Sequence, residues 1–173
     1  MGGGKIDTRK RHSTYENLSG IIFMVAISNF DLELEQHDDT YEDPTRHIDT
    51  DFDRALKLLR QAIAEERFAA TPIHVFLNEV DVFKEKLHVA GHSALKKHWP
   101  EYDGSSDKEA LAFMQRLLEQ AVAEVLATPG NRRAAVMGDG ATDVKSNAVE
   151  FHFTCCVDTR PMQKLLMNVL KRL

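Results

Sequence analysis

Cysteine is scarce in this 173-residue chain: there are two, Cys155 and Cys156, and they are neighbours. Adjacent cysteines rarely bridge, so a disulfide scaffold is excluded and a reducing, cytosolic setting is the default. Glycine (9) and proline (5) are too few for a low-complexity chain. Positive charge is in deficit, with 22 Lys and Arg against 27 Asp and Glu and a net charge of −5. That excludes a broadly basic nucleic-acid binder, which needs surplus cations to neutralise phosphates, though not a local basic patch. Long hydrophobic runs are missing too. The longest, Ile21 to Ile27, is far short of the roughly 20 residues that cross a bilayer. No basic segment followed by an apolar one opens the chain, so no signal peptide is expected. What remains, at 43% hydrophobic composition, suits one ordinary soluble domain.

Three short apolar runs alternate with longer amphipathic stretches. The runs are Leu18 to Ser28, Pro72 to Asn78 and Val149 to Thr154. The first two are rich in β-branched and aromatic residues on both sides, the reading of a strand covered by helices on both faces. Between them Phe52, Ala55, Leu56, Leu59 and Ile63 recur at helical spacing. A second helix opens at Ser106-Asp-Lys-Glu109, a capping box, and carries the stripe Leu111, Met114, Leu118, Ala121, Val122 and Val125. It stops near Pro129-Gly130. A last helix begins around Asp158-Thr159, with Pro161 in its first turn and Met162, Leu165, Leu166, Val169 and Leu173 on its buried side. Strand and helix in alternation predict an α/β fold with a parallel sheet and helices on both faces. Strand Ile21–Ile27 reads as central, yet no comparable apolar run upstream supplies its second neighbour. Its free edge predicts a partner or poor solubility. Two stretches are irregular, the acid-rich Asp31 to Asp53 and the loose Thr128 to Asn147.

Several residue patterns are open between chemistry and ordinary structure. Asn78-Glu-Val-Asp81 follows a strand, where Asn and Asp favour turns, but the carboxyl end of a strand is also where open α/β sheets hold ligands. Cys155 and Cys156 read as small buried thiols at a strand end. His88 and His92, with Glu85 nearby, have the spacing of two metal ligands on one helix face, but no third ligand is fixed and Gly91 weakens the helix. His74 and His152 lie within strand runs and read as core or surface histidines.

In order, the segments resemble the C-terminal half of the GTPase domain of a heterotrimeric G-protein α subunit. Ile21-Ile-Phe-Met-Val-Ala-Ile-Ser-Asn-Phe-Asp-Leu32 is similar to the family's central strand and the turn after it. Phe76-Leu-Asn-Glu-Val-Asp81 and Phe83-Lys-Glu-Lys-Leu87 resemble the guanine-recognition strand and the segment next to it. Pro100-Glu-Tyr-Asp-Gly104 matches a family stretch, and His152-Phe-Thr-Cys-Cys-Val-Asp-Thr159 resembles the last strand and the start of the final helix. The resemblance implies the second half of a P-loop-type G-domain over residues 1–173, from the second switch to the final helix. It implies GTP or GDP as ligand, with Mg²⁺ used in the family. It implies a signalling role with a βγ dimer, receptor or effector as partner, in the cytoplasm at the inner face of the plasma membrane.

The resemblance also suggests roles for individual residues. Asp81 would accept two hydrogens from the guanine edge and Asn78 would tie the loop to its neighbours. Cys156 would offer a backbone amide to the guanine oxygen. Gly2 and Gly3 would approach the terminal phosphate, and Lys5, Arg9, Lys10 and Arg11 would face the βγ partner. Departures are as specific. Glu79 stands where the family has a Lys beside the base, Val157 where it has a hydroxyl, and Gly4 where it has the water-orienting Gln. Within these residues there is no phosphate-binding Gly-rich loop and none of the usual Mg²⁺ ligands. The expectation is guanine-nucleotide binding without GTP hydrolysis by this chain alone. The alternative is a non-catalytic interaction module that keeps the Lys5 to Tyr15 surface for partner contact.

Overall fold

The computed structural model describes residues 18–34, 50–138, 149–155 and 157–171. Three strands, β1 (Ile21–Ala26), β2 (Ile73–Asn78) and β3 (Val149–Phe153), form one sheet in the order β1-β2-β3. Both pairings are parallel, with Val25 opposite Leu77 and Phe76 opposite His152. The helices are α1 (Asp51–Ala64), α2 (Val80–Ala90), α3 (Ala94–His98), α4 (Asp107–Leu126), α5 (Arg132–Gly138) and α6 (Thr159–Leu170). A 3₁₀ turn, Ile27–Asp31, follows β1.

Side chains alternate across a strand, so the register sorts the sheet into two faces. On one face Ile21, Phe23 and Val25 lie beside Ile73, Val75 and Leu77 and then Val149 and Phe151. These join the main core with Phe52, Leu56, Leu59 and Ile63 of α1, Phe83 and Leu87 of α2, and Phe113, Met114 and Leu118 of α4. The other face carries Ile22 and Met24, then His74 and Phe76, then Glu150 and His152. There β2 is buried, but Ile22 is 40% and Met24 51% exposed.

Among the described residues the central position belongs to β2, whose residues 73–77 are all buried. Strand β1 has a sheet neighbour on one side only among the described residues. Both runs look alike in sequence because hydrophobicity reports what a strand is able to bury, not how many neighbours it has.

Both long helices are capped as their sequences dictate. Ser106 Oγ accepts from the Glu109 amide, and Glu109 accepts in return from the Ser106 amide. Thr50 and Asp53 make the same reciprocal pair at α1. The Pro100–Gly104 stretch bridges these helices through an aromatic cluster. Trp99 meets Phe52 at 5.7 Å and Phe113 at 5.9 Å, and Tyr102 meets Phe113 at 5.0 Å. Gly104 is required here: a Cβ would lie 2.6 Å from the Tyr102 hydroxyl. That hydroxyl is buried with no hydrogen-bond partner among the described residues. Burial, reinforced by the charge of Glu109, raises its pKa.

Two substitutions test this cluster by chemical denaturation. Tyr102→Phe removes a buried polar group that has no partner among the described residues, so stability should hold or rise by up to about 1 kcal/mol, against the loss usual for deleting a hydrogen-bonded hydroxyl. Gly104→Ala forces Tyr102 to move and should cost about 1–3 kcal/mol.

Candidate functional site

The carboxyl ends of β2 and β3 meet through their backbones. The Thr154 amide donates to the Leu77 carbonyl at 2.8 Å, and the Val80 amide to the Thr154 carbonyl at 3.3 Å. The Thr154 hydroxyl lies 3.2 Å from Asn78 Oδ1 and donates to it. Asn78 thus ties the β2–α2 turn to the β3–α6 loop. The residue pattern singles out Asn78, and the structure supplies its partner.

Asp81 and Cys155 face each other across this junction. The Cys155 thiol donates to the Asp81 carboxylate. That bond, helped by the Val82 amide, holds the Asp81 carboxyl below its ordinary range. The same bond, followed by partial burial, raises the Cys155 thiol above its own. Both groups line an open groove of about 720 Å³ with Val80, Lys84, Thr154 and Asp158. Cys155 is therefore half-buried at a groove wall, not sealed in the core as the residue pattern suggested. The groove wall holds an ionised acceptor at Asp81 and a cation at Lys84. Lys84 is absent from the sequence-based candidates, although it lies three residues beyond Asp81 on α2 and so on the same side of the helix.

Glu79, which stands where the family has a Lys beside the base, turns away from the groove. It is the N-cap of α2 with φ 65° and ψ 38°, in the left-handed region. Its carboxylate accepts a hydrogen bond from the Ser28 hydroxyl and is not part of the groove wall. Lys86 reinforces the same junction by donating to the Ser28 carbonyl at 2.8 Å and to Asp31 at 2.5 Å.

The remaining candidates divide. Gly2, Gly3, Gly4 and Cys156, and the basic segment Lys5 to Tyr15, lie outside the described residues. His88 and His92 do converge, but on Asp107, at 3.3 and 3.0 Å, and not on Glu85. Burial opposes the charge of Asp107, yet the His92 hydrogen bond and the charge of His88 outweigh it, and the carboxyl is held below its usual range. Among the described residues one set of three His, Cys or carboxylate donors converges within ligand reach, His74, Glu150 and His152. Among the described residues no such set lies at the groove.

The thiol–carboxylate pair makes a prediction. The folded pKa of Cys155 is raised, so this bond contributes stability below the ordinary thiol pKa, about 8.5, and loses it as pH rises through the raised value. Less thiolate also means slower alkylation. Iodoacetamide labelling at neutral pH, read residue by residue by mass spectrometry, should find Cys155 slower than an unpaired thiol. Asp81→Asn should speed it.

The profile of the G-protein alpha subunit family matches residues 1–173. The chain is 39% identical over 172 residues to the guanine nucleotide-binding protein alpha-13 subunit of Caenorhabditis briggsae, covering 99% of this chain and 40% of that protein. It is 37% identical over 122 residues to the protein of the same name from Caenorhabditis elegans, covering 70% of this chain and 32% of that one. Against the G-protein complex alpha subunit gpaA of Aspergillus fumigatus it is 29% identical over 171 residues, 98% of this chain and 39% of the relative. The chain thus spans about two fifths of the length of such relatives. Its parallel sheet, the Asn78 to Asp81 turn and the strand-end contact with Thr154 all lie within the matched region, and the chain belongs to the G-protein alpha subunit family.

Proposed function

We propose that this chain recognises the guanine base of GTP or GDP in the groove between the β2–α2 turn and the β3–α6 loop, as part of a signalling G protein. The observation that supports this most is the exposed, ionised Asp81 carboxylate on the groove wall, with the β2–α2 turn held to Thr154 through Asn78. Guanine presents two adjacent N–H donors on one edge, and a carboxylate accepts both in one plane, which adenine does not allow. The base's donors would take the place of the Cys155 thiol proton on Asp81. The stem of Lys84, a groove-lining residue, would cover the ring, a part that Glu79, turned toward Ser28, would not play. Cys156 would contribute its backbone amide, and Gly2 and Gly3 would approach the terminal phosphate.

The proposal extends to the setting by family membership. The partners would be a βγ dimer and a receptor or effector, with the protein in the cytoplasm at the inner face of the plasma membrane. No helix among the described residues is long and apolar enough to cross a membrane.

Hydrolysis is a separate matter. Phosphoryl transfer needs a phosphate cradle, Mg²⁺, a positioned water and a charge-stabilising Arg. The 173 residues contain no Gly-x-x-x-x-Gly-Lys-Ser/Thr loop, and Gly4 offers no side chain to orient water. We therefore assign this chain nucleotide recognition without turnover.

Two measurements test these assignments. Competition binding with a fluorescent GDP should show GDP and GTP displacing it and ATP failing. Asp81→Asn should weaken guanine binding about tenfold or more, as loss of a charged acceptor does. Equal binding of ATP and GTP defeats the base-site reading. No binding of either would leave the non-catalytic interaction module as the function. Single-turnover GTP hydrolysis with Mg²⁺, at several protein concentrations, should stay at background. A rate that scales with protein and vanishes in Asp81→Asn overturns the second assignment.

A further inference from the structure

On the sheet face opposite the main core, three donor atoms point at one another. His74 Nδ1 lies 3.3 Å from His152 Nε2, and Glu150 Oε2 lies 3.6 Å from each of them. The three ligand atoms thus surround a shared point. A triangle with sides of 3.3, 3.6 and 3.6 Å has a circumradius of about 2.0 Å, close to the roughly 2.0–2.2 Å at which Zn²⁺ binds imidazole nitrogen and carboxylate oxygen. An ion slightly out of that plane would have three corners of a tetrahedron supplied. We propose that His74, Glu150 and His152 form a Zn²⁺ site, with the fourth corner left to water.

The chemistry of the donors supports the choice of metal. Two imidazoles and one carboxylate are a zinc ligand set, while Mg²⁺ and Ca²⁺ require mostly oxygen. Burial is graded across the three: the His74 side chain is 4% exposed, His152 19% and Glu150 31%. The inner ligand is held by packing and the outer carboxylate leaves an entry path. The Phe76 and His152 rings meet in a T-shaped contact with centroids 5.4 Å apart. Ile22 lies beside His74 in the register, on the apolar β1 side of the site. The site spans two strands, His74 on β2 with Glu150 and His152 on β3, so a bound ion cross-links the pairing at the middle of its length. It is separate from the guanine groove and stands whether or not that groove binds nucleotide.

The test uses the full chain, stripped with EDTA and titrated with zinc chloride by isothermal calorimetry. Metal content is measured after dialysis. One Zn²⁺ per chain and a thermal midpoint that rises with free Zn²⁺ are expected. Glu150→Gln and His152→Gln, whose side chains are the more exposed, should each lose affinity by at least about tenfold, the scale set by far weaker outer-shell changes. Their far-UV circular dichroism should match the parent chain. Co²⁺ should give the intense visible bands of a four-coordinate site, absent in His152→Gln. His92→Gln and the double change Cys155→Ser with Cys156→Ser should leave binding intact. Substoichiometric binding, binding that ignores both ligand changes, or binding lost in the His92 or cysteine variants would overturn the proposal.

Discussion

The register between β2 and β3 is the constraint on which most of this chain's chemistry depends. Because Val75 faces Phe151 and Phe76 faces His152, one pairing brings Asn78 to Thr154 at the strand ends and His74 to His152 and Glu150 in the middle. A slip of one residue would turn every β3 side chain to the other face and break both arrangements together. What prevents the slip is the burial of β2. Its core-face residues, Ile73, Val75 and Leu77, are fully enclosed, and a one-residue slip of β3 would set Glu150 and His152 beside them on that face. The backbone bonds from Thr154 to Leu77 and from Val80 to Thr154 then carry the pairing past the last strand residue into the loops.

The alternation of elements is readable from the chain because hydrophobic period and caps are local signals. The capping box at Ser106 and Glu109 and the stripe through Met114, Leu118 and Val122 are where the helix forms and what it buries. Sheet order is less legible. The runs at Ile21 and Ile73 have similar composition, and only the fold shows that, among the described strands, the second is the one with a neighbour on each side. At the groove, Asn78 and Asp81 are visible as a strand-end pattern, but their partners are not. Thr154 and Cys155 lie more than seventy positions away, and no local rule places them opposite the turn. His74, Glu150 and His152 escape for the same reason. Each is ordinary in its own strand, and a ligand triangle exists only once the two strands are side by side.

Charge at the turn is arranged by backbone geometry as much as by residue type. Position 79 adopts a left-handed conformation, which few residues other than Gly and Asn accept without cost. The outcome is that the Glu79 carboxylate meets the Ser28 hydroxyl in the turn after β1, while Lys84 on the next turn of α2 faces the groove. Two strand ends are thereby fastened to each other on one side and opened on the other. The Glu79 carboxylate serves as a fastening between the turns that follow β1 and β2.

Trp99 is the chain's single tryptophan, and it sits in the aromatic cluster between Phe52 and Phe113, 9% exposed. That gives the molecule a built-in optical reporter of one layer. Its emission tracks the contact of α1 with α4, on the core side of the sheet. Water reaching this cluster shifts the spectrum, whereas an ion arriving on the opposite face has no aromatic of this kind beside it. Loosening of the helical layer can therefore be watched on its own channel, without a label and without disturbing either strand-end chemistry or the histidine face.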